Sequence, residues 1–376
     1  MIHREISDRK FQIDALDGLR GFAVLIVVFS HTSNVNMFFF PFLDLSGTGK
    51  SGVILFFLLS SFLLTLPMLD KGKKIFTFPA MSLYWQRRIF RIYPLYTLYL
   101  LLALITTWLI AEFLAKNDTG IPFSLDWLGF FNHIILQEGK GVTWSIAVEF
   151  KFYFILPILA FSIFFVRSYG LWATSLFFLT LLMLSQIISP QNESLQNDAR
   201  LLPYMPIFLI GMFLALIQND TNLKTTYTRN LKKIYKYLGY IGLVGIVFMT
   251  PLAFSIFNDS IPNDYFNKQF ILYSLFWSFV IMSAVNVRGL IQWIFTLSIL
   301  RFYGALSFSL YLFHMIFIFA FQQIDLNPYI SAWLVLITST VCAYISFKVL
   351  EEPISKYKLT RDSMSHITKL FTRKNN

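Results

Sequence analysis

The chain has 376 residues, 56% of them hydrophobic and only 14% charged, with a mean hydropathy of +0.62. A soluble globular protein carries about 25% charged residues, so this chain lacks the charge to cover a water-facing surface, and a soluble fold is excluded. Its net charge of +11 is explained by membrane topology and needs no nucleic acid.

A bilayer core of roughly 30 Å takes about 20 apolar residues per helical span. Only helices or closed barrels satisfy their own backbone groups there, and the period-two alternation of a barrel is absent. In chain order, apolar stretches predict helices over 16–38, 51–69, 92–115, 143–166, 170–189, 201–218, 237–257, 269–287, 302–323 and 329–350. The expected fold class is an all-α integral membrane protein of about ten transmembrane helices. With both termini cytoplasmic, the segments 1–20, 70–91, 167, 219–236, 288–301 and 348–376 lie inside and hold 25 of the 31 basic residues. The positive-inside rule asks for such a bias, and these loops can rest on anionic headgroups.

One transmembrane domain, 1–355, is expected, followed by a basic cytoplasmic tail, 356–376, that lies on the membrane or is disordered. Asp14 and Asp17 interrupt the start and no cleavage pattern follows, so the first span is read as directing insertion. The outer stretch 116–142 is read as a lid or re-entrant piece. Cys342 stands alone and is read as packing.

The first span carries the first chemical signal. Asp17, Arg20, Val24, Val27 and His31 follow at spacings of three and four, on one helical stripe. Arg20 and His31 differ by 11 residues, roughly 16 Å along the axis at 1.5 Å per residue. Gly18 and Gly21 allow a helix or ligand to come close. An ionisable residue at membrane depth, as His31 is read to be, is functional by default; packing against a neighbouring helix is the alternative. Asp17 and Arg20 hold the cytoplasmic entrance or pair with each other.

In "YWQRRIFRIYPLY", 84–96, Arg88 and Arg91 stand at i, i+3 and project together. Pro94 disfavours helix at Tyr93, which predicts a bend where the third span begins. Two guanidiniums on one face suit phosphate oxygens, although membrane topology alone places arginines here. In "TWSIAVEFKFYFILP", 143–157, Ser145, Glu149 and Tyr153 share a face. Glu149 lines a polar cavity or pairs with Lys151 at the interface. In "GALSFSLYLFHMIF", 304–317, His314 is divided evenly between core hydrogen bonding and cavity lining. His3 and His133 carry no weight. No grouping has metal-ligand spacing, and no nucleophile elbow or phosphate loop appears.

Taken in order, these segments resemble the acyltransferase 3 family of membrane-bound acyltransferases. "LDGLRGFAVLIVVFSHTS", "SGVILFFLLSSFLLT", "RRIFRIYPLY", "TWSIAVEFKFYFILP", "ARLLPYMPIFLIGMFLA", "LSFSLYLFHMIF" and "VLEEPISK" match successive family elements along nearly the whole chain. The resemblance implies transfer of an acyl group, commonly acetyl, from cytoplasmic acyl-CoA to a carbohydrate hydroxyl outside the membrane. It makes His31 the catalytic histidine and Arg88 and Arg91 the acyl-CoA contacts, to which Arg20 is added. It marks Glu149 as a further catalytic candidate without a defined role. Two positions depart: Ile54 stands where the family usually has an acid, and Ser61 where it usually has Gly. Some members carry a fused esterase-like domain, for which this chain is too short.

The expectation is thus an O-acetyltransferase of the bacterial cytoplasmic (inner) membrane. Its acceptor would be a surface polysaccharide such as O-antigen or capsule, or a lipid-linked glycan precursor. No metal is called for. An imidazole can take the proton of a weakly acidic sugar hydroxyl, or carry the acyl group itself. The rival reading is a transporter or flippase of lipid-linked sugars, with His31 and Glu149 relaying protons. The lack of an internal repeat counts against it.

Overall fold

The computed structural model describes residues 2–114, 120–220, 229–256 and 269–356. The expected tail from 357 onward, with Lys116 and Lys268, lies outside the described residues. Among those described, helices follow one another without a strand. In chain order they are α1 (Ile2–Ser33), α2 (Gly49–Lys71), α3 (Phe78–Leu114), α4 (Trp127–Ile134), α5 (Thr143–Arg167), α6 (Leu171–Ile188) and α7 (Met205–Asn219). There follow α8 (Arg229–Phe248), α9 (Phe270–Asn286), α10 (Leu290–Phe295), α11 (Ser298–Ala305), α12 (Ser307–Gln322) and α13 (Pro328–Ser346).

Each of the ten expected stretches carries helix. Among the described residues seven of them, over Asp14–Ser33, Gly49–Lys71, Phe78–Phe113, Thr143–Arg167, Leu171–Ile188, Leu202–Asn219 and Pro328–Ile354, are long and apolar enough to cross a membrane. An eighth is added if α11 and α12, bent by 79° at their junction, count as one span. The other two fall short for visible reasons. Helix α8 opens on Arg229, Lys232, Lys233 and Lys236, and α9 has only 17 residues.

Helix α1 is the hub, packing against α2, α9, α10, α11 and α12. The contact with α11 is close because glycines face backbone on both sides. A Cβ on Gly21 would lie 1.9 Å from the Leu300 carbonyl oxygen, and one on Gly304 2.0 Å from that of Asp17. The expected close approach at this end of α1 is therefore made by another helix. A second tight seam joins α2 to α7, and the polar end of α1 is tied to α11 by Asp14 and Arg301 at 2.8 Å.

Two expectations are corrected. Helix α1 stops at Ser33 rather than 38, which puts His31 in its last turn. Asn34 and Asn36 end it, Asn36 adopting φ 62°, a left-handed conformation that asparagine tolerates well. The segment after it folds back: Leu45 N–H donates to Ser33 Oγ at 3.2 Å and Gly47 N–H to Asn34 Oδ1 at 3.0 Å. Phe39 stacks on Phe29, and Trp333 Nε1–H holds the Phe39 carbonyl at 3.1 Å.

The second concerns helical geometry at Tyr93, which the following Pro94 is expected to disfavour. Helix α3 runs through it without a break, because burial of Ile92, Leu95 and Tyr96 holds both flanks and membrane helices tolerate one missing bond. Arg88 and Arg91 sit on this same long helix.

Candidate active site

A cavity of about 100 Å³ opens between α1, α2, α3, α5 and α12, lined on its polar side by Arg20, Arg88, Arg91, Glu149, Ser60 and Tyr153. The i, i+3 spacing on α3 delivers Arg88 and Arg91 together, and the stripe on α1 delivers Arg20. Arg20 Nη2 donates to Ser307 Oγ at 3.1 Å, at the point where α12 begins. The Arg88 guanidinium lies 5.9 Å from the Tyr153 ring centre, and its buried Nε has no hydrogen-bond partner. Arg91 is exposed.

On the facing wall, Glu149 accepts the Tyr153 hydroxyl at 2.6 Å and also the Ser60 hydroxyl from α2. The Glu149–Lys151 pairing does not form: Lys151 Nζ reaches the Ala199 carbonyl at 2.6 Å, on the other side of α5. Asp17 and Arg20 make no ion pair either. Farther along the same interface, the Ser309 hydroxyl donates to Glu351, the first of the two acids in the closing "VLEEPISK" segment.

His31 is not part of this lining. Its Nδ1 meets Nε2 of His314 at 2.9 Å, with ring centres 5.1 Å apart and planes 18° from parallel. His314 is fully buried, and its own Nδ1 faces the Leu310 carbonyl at 3.2 Å. Tyr311, which lines the cavity, lies 5.9 Å from the His314 ring. Its hydroxyl lies 2.7 Å from Ser145 Oγ. The fold thus collects Arg20, Arg88, Arg91 and Glu149 in one cavity, and leaves His31 outside its lining, bonded to His314.

Ser60 and Tyr311 escaped the sequence reading. The only signal was a polar atom inside an apolar run, which is common in membrane helices. His133 sits apart, on α4. Its Nδ1 faces the Gly129 carbonyl at 2.7 Å and its Nε2 accepts the Lys140 N–H at 3.0 Å. Burial pushes its pKa below the usual histidine value. Among the described residues, no group of three or more His, Cys, Asp or Glu side chains is arranged to hold a metal ion.

A family profile described as "Acyltransferase domain" matches residues 13–348. The O-acetyltransferase OatA of Staphylococcus aureus strain NCTC 8325 / PS 47 is 27% identical over 368 residues, covering 92% of this chain and 57% of the relative. A protein of S. aureus strain COL, whose name gives O-acetyltransferase provisionally, is 26% identical over 366 residues, again 92% of this chain and 57% of the relative. The chain therefore spans little more than half the length of these curated relatives. No solved structure matches.

Proposed function

Since the chain belongs to the acyltransferase family matched over residues 13–348, we propose that it is a membrane O-acyltransferase. In this reading it is an O-acetyltransferase of the bacterial inner membrane, with ten spans and both termini cytoplasmic. It takes its acyl group from cytoplasmic acyl-CoA and passes it to a hydroxyl of a surface polysaccharide or its lipid-linked precursor. The names of the relatives support the reaction class.

The observation that carries this reading is the arginine cavity. Three guanidiniums converge there beside the single carboxylate that lines it, and Arg88 Nε is buried without a partner. Arg20 and Arg88 are half-buried and Arg91 is exposed; like charges gathered at one cavity favour an anionic ligand, and guanidinium forks fit phosphate oxygens. A bound acyl-CoA supplies those phosphates, together with a thioester at the far end of its pantetheine arm. From Arg20 to His31 the stripe on α1 runs roughly 16 Å, a length comparable to that arm when extended.

His31 then meets the reacting carbonyl. Its free nitrogen takes the proton of the acceptor hydroxyl as the new C–O bond forms. The C–S bond breaks, and the imidazolium returns the proton to the departing thiolate, leaving ester and free thiol. Transient acylation of the same nitrogen is the other course open to it. Glu149 holds Tyr153 and Ser60 in place across the cavity.

The test uses sealed inverted vesicles containing the protein and given labelled acetyl-CoA on the exposed cytoplasmic face. Label should enter the glycan fraction with loss of thioester. Movement of a labelled lipid-linked sugar without thioester loss would establish the carrier instead.

A further inference from the structure

The hydrogen bonds around the two histidines fix more than their positions. A carbonyl oxygen can only accept, so the Leu310 carbonyl, 3.2 Å from Nδ1 of His314, requires the proton on that nitrogen. In neutral imidazole the other nitrogen is then an acceptor, so Nε2 of His314 has a lone pair to offer. It faces Nδ1 of His31 at 2.9 Å. That contact is a hydrogen bond only if His31 donates, with its proton on Nδ1. The Nε2 of His31 is left as an unprotonated lone pair, and it has no hydrogen-bond partner among the described residues.

We propose that His314 is the positioning residue of the acyl transfer: fastened to the Leu310 carbonyl, it holds His31 in the tautomer whose Nε2 serves as the base. This rests on the acyltransferase reading above. It assigns His314 the task that the buried carboxylate performs in a Ser-His-Asp triad, holding tautomer and ring orientation, with a neutral ring in place of an acid. When His31 takes the acceptor's proton, both its nitrogens become donors. The Nδ1–H stays bonded to His314 throughout, so the ring neither turns nor loses a partner. His314 gains and loses no proton.

The device is built for one direction. His314 is fully buried and its ring lies edge to edge with that of His31, the planes 18° from parallel. It cannot reverse its tautomer without losing the Leu310 carbonyl. It is not among the residues that line the arginine cavity, which predicts that it leaves donor binding alone.

The experiment compares three variants in vesicles with acetyl-CoA. His314→Phe keeps a buried ring but removes the acceptor. It should lower kcat on the order of 10²-fold, with KM for acetyl-CoA within about threefold of wild type. His314→Gln restores a side-chain carbonyl that can accept from Nδ1 and should recover about a tenth of wild-type kcat or more. His31→Ala should be inactive. Wild-type kcat in His314→Phe alongside an inactive His31→Ala would overturn the positioning role and leave the acyltransferase reading standing. An active His31→Ala would remove both.

Should His314→Phe fail to insert, ¹⁵N spectra of histidine-labelled wild-type protein decide the matter. His31, assigned by its loss in His31→Ala, should show a protonated Nδ1 and a bare Nε2. The opposite tautomer would overturn the proposal.

Discussion

His133 and His314 use the same local device and put it to different ends. In each, Nδ1 donates to the carbonyl four residues back on its own helix, Gly129 at 2.7 Å and Leu310 at 3.2 Å. In each, the ring lies 18° from parallel with a neighbouring ring, Phe123 for one and His31 for the other. The difference lies in what Nε2 accepts. On His133 it accepts the backbone N–H of Lys140 at 3.0 Å, and both nitrogens are then consumed by main chain. On His314 it faces a second imidazole, which still has a nitrogen left over. A buried histidine closed by backbone on both sides braces a loop; one that passes its tautomer to a neighbour leaves a lone pair for chemistry.

The sharpest way to break this contrast is His31→Ala. The open site should lose acyl transfer by at least about 10²-fold, the usual share of a general base, while the thermal midpoint stays near wild type. Activity above about a tenth of wild type would place His31 with His133 among the bracing residues.

The converse is His133→Phe, which leaves the buried Lys140 N–H without its acceptor. Its expected cost is about 1–3 kcal/mol of stability, read as a lower melting midpoint in detergent. Transfer rates measured below that midpoint should be unchanged.

A smaller effect is expected where neither histidine acts. Arg88→Lys with Arg91→Lys keeps the charge and loses the fork, so KM for acetyl-CoA should rise by about tenfold, or about 1.4 kcal/mol, with kcat retained. Unaltered donor binding would reduce both arginines to markers of topology.

The smallest effect is one of pH. Burial holds His133 below its ordinary pKa, so in acid the unfolded chain binds a proton that the folded chain does not. Stability from this site is therefore full above about pH 6.5, the unfolded value, and declines as pH falls further. Melting midpoints recorded from pH 7.5 to 5.5 should fall less steeply for His133→Phe than for wild type.

What was legible in the sequence is whatever repeats within a turn or two. Apolar runs announced the helices. The i, i+3 step of Arg88 and Arg91 and the shared face of Ser145, Glu149 and Tyr153 announced two walls of the cavity. What was hidden depends on other helices. His31 and His314 are 283 residues apart, so their pairing has no local trace. The ending of α1 at Ser33 and the continuity of α3 through Pro94 were decided by packing against distant segments. Lys151 failed to reach Glu149 because the Ala199 carbonyl lay on its own side of the helix. The span count met the same limit, since α8 and α9 are helical without being apolar or long enough to qualify alone.

The two positions that the sequence resemblance singled out as departures, Ile54 and Ser61, both lie on α2, and one of them has a mechanical meaning. Ser61 is fully buried, and its Oγ would lie 1.9 Å from a Cβ placed on Gly211 of α7. The hydroxymethyl group thus acts as a shim between two helices, filling the space that the glycine leaves. A glycine at 61 could not be offset by an alanine at 211, because that new Cβ would still meet the Leu58 carbonyl at 2.6 Å. Reverting this chain toward the family pattern at 61 alone would therefore change the spacing of α2 and α7, not merely empty a hole. The next residue back is Ser60, whose hydroxyl grips Glu149. Two heavy atoms at 61 thus fill the α2–α7 seam one residue from the cavity wall, which couples substitutions at 61 and 211.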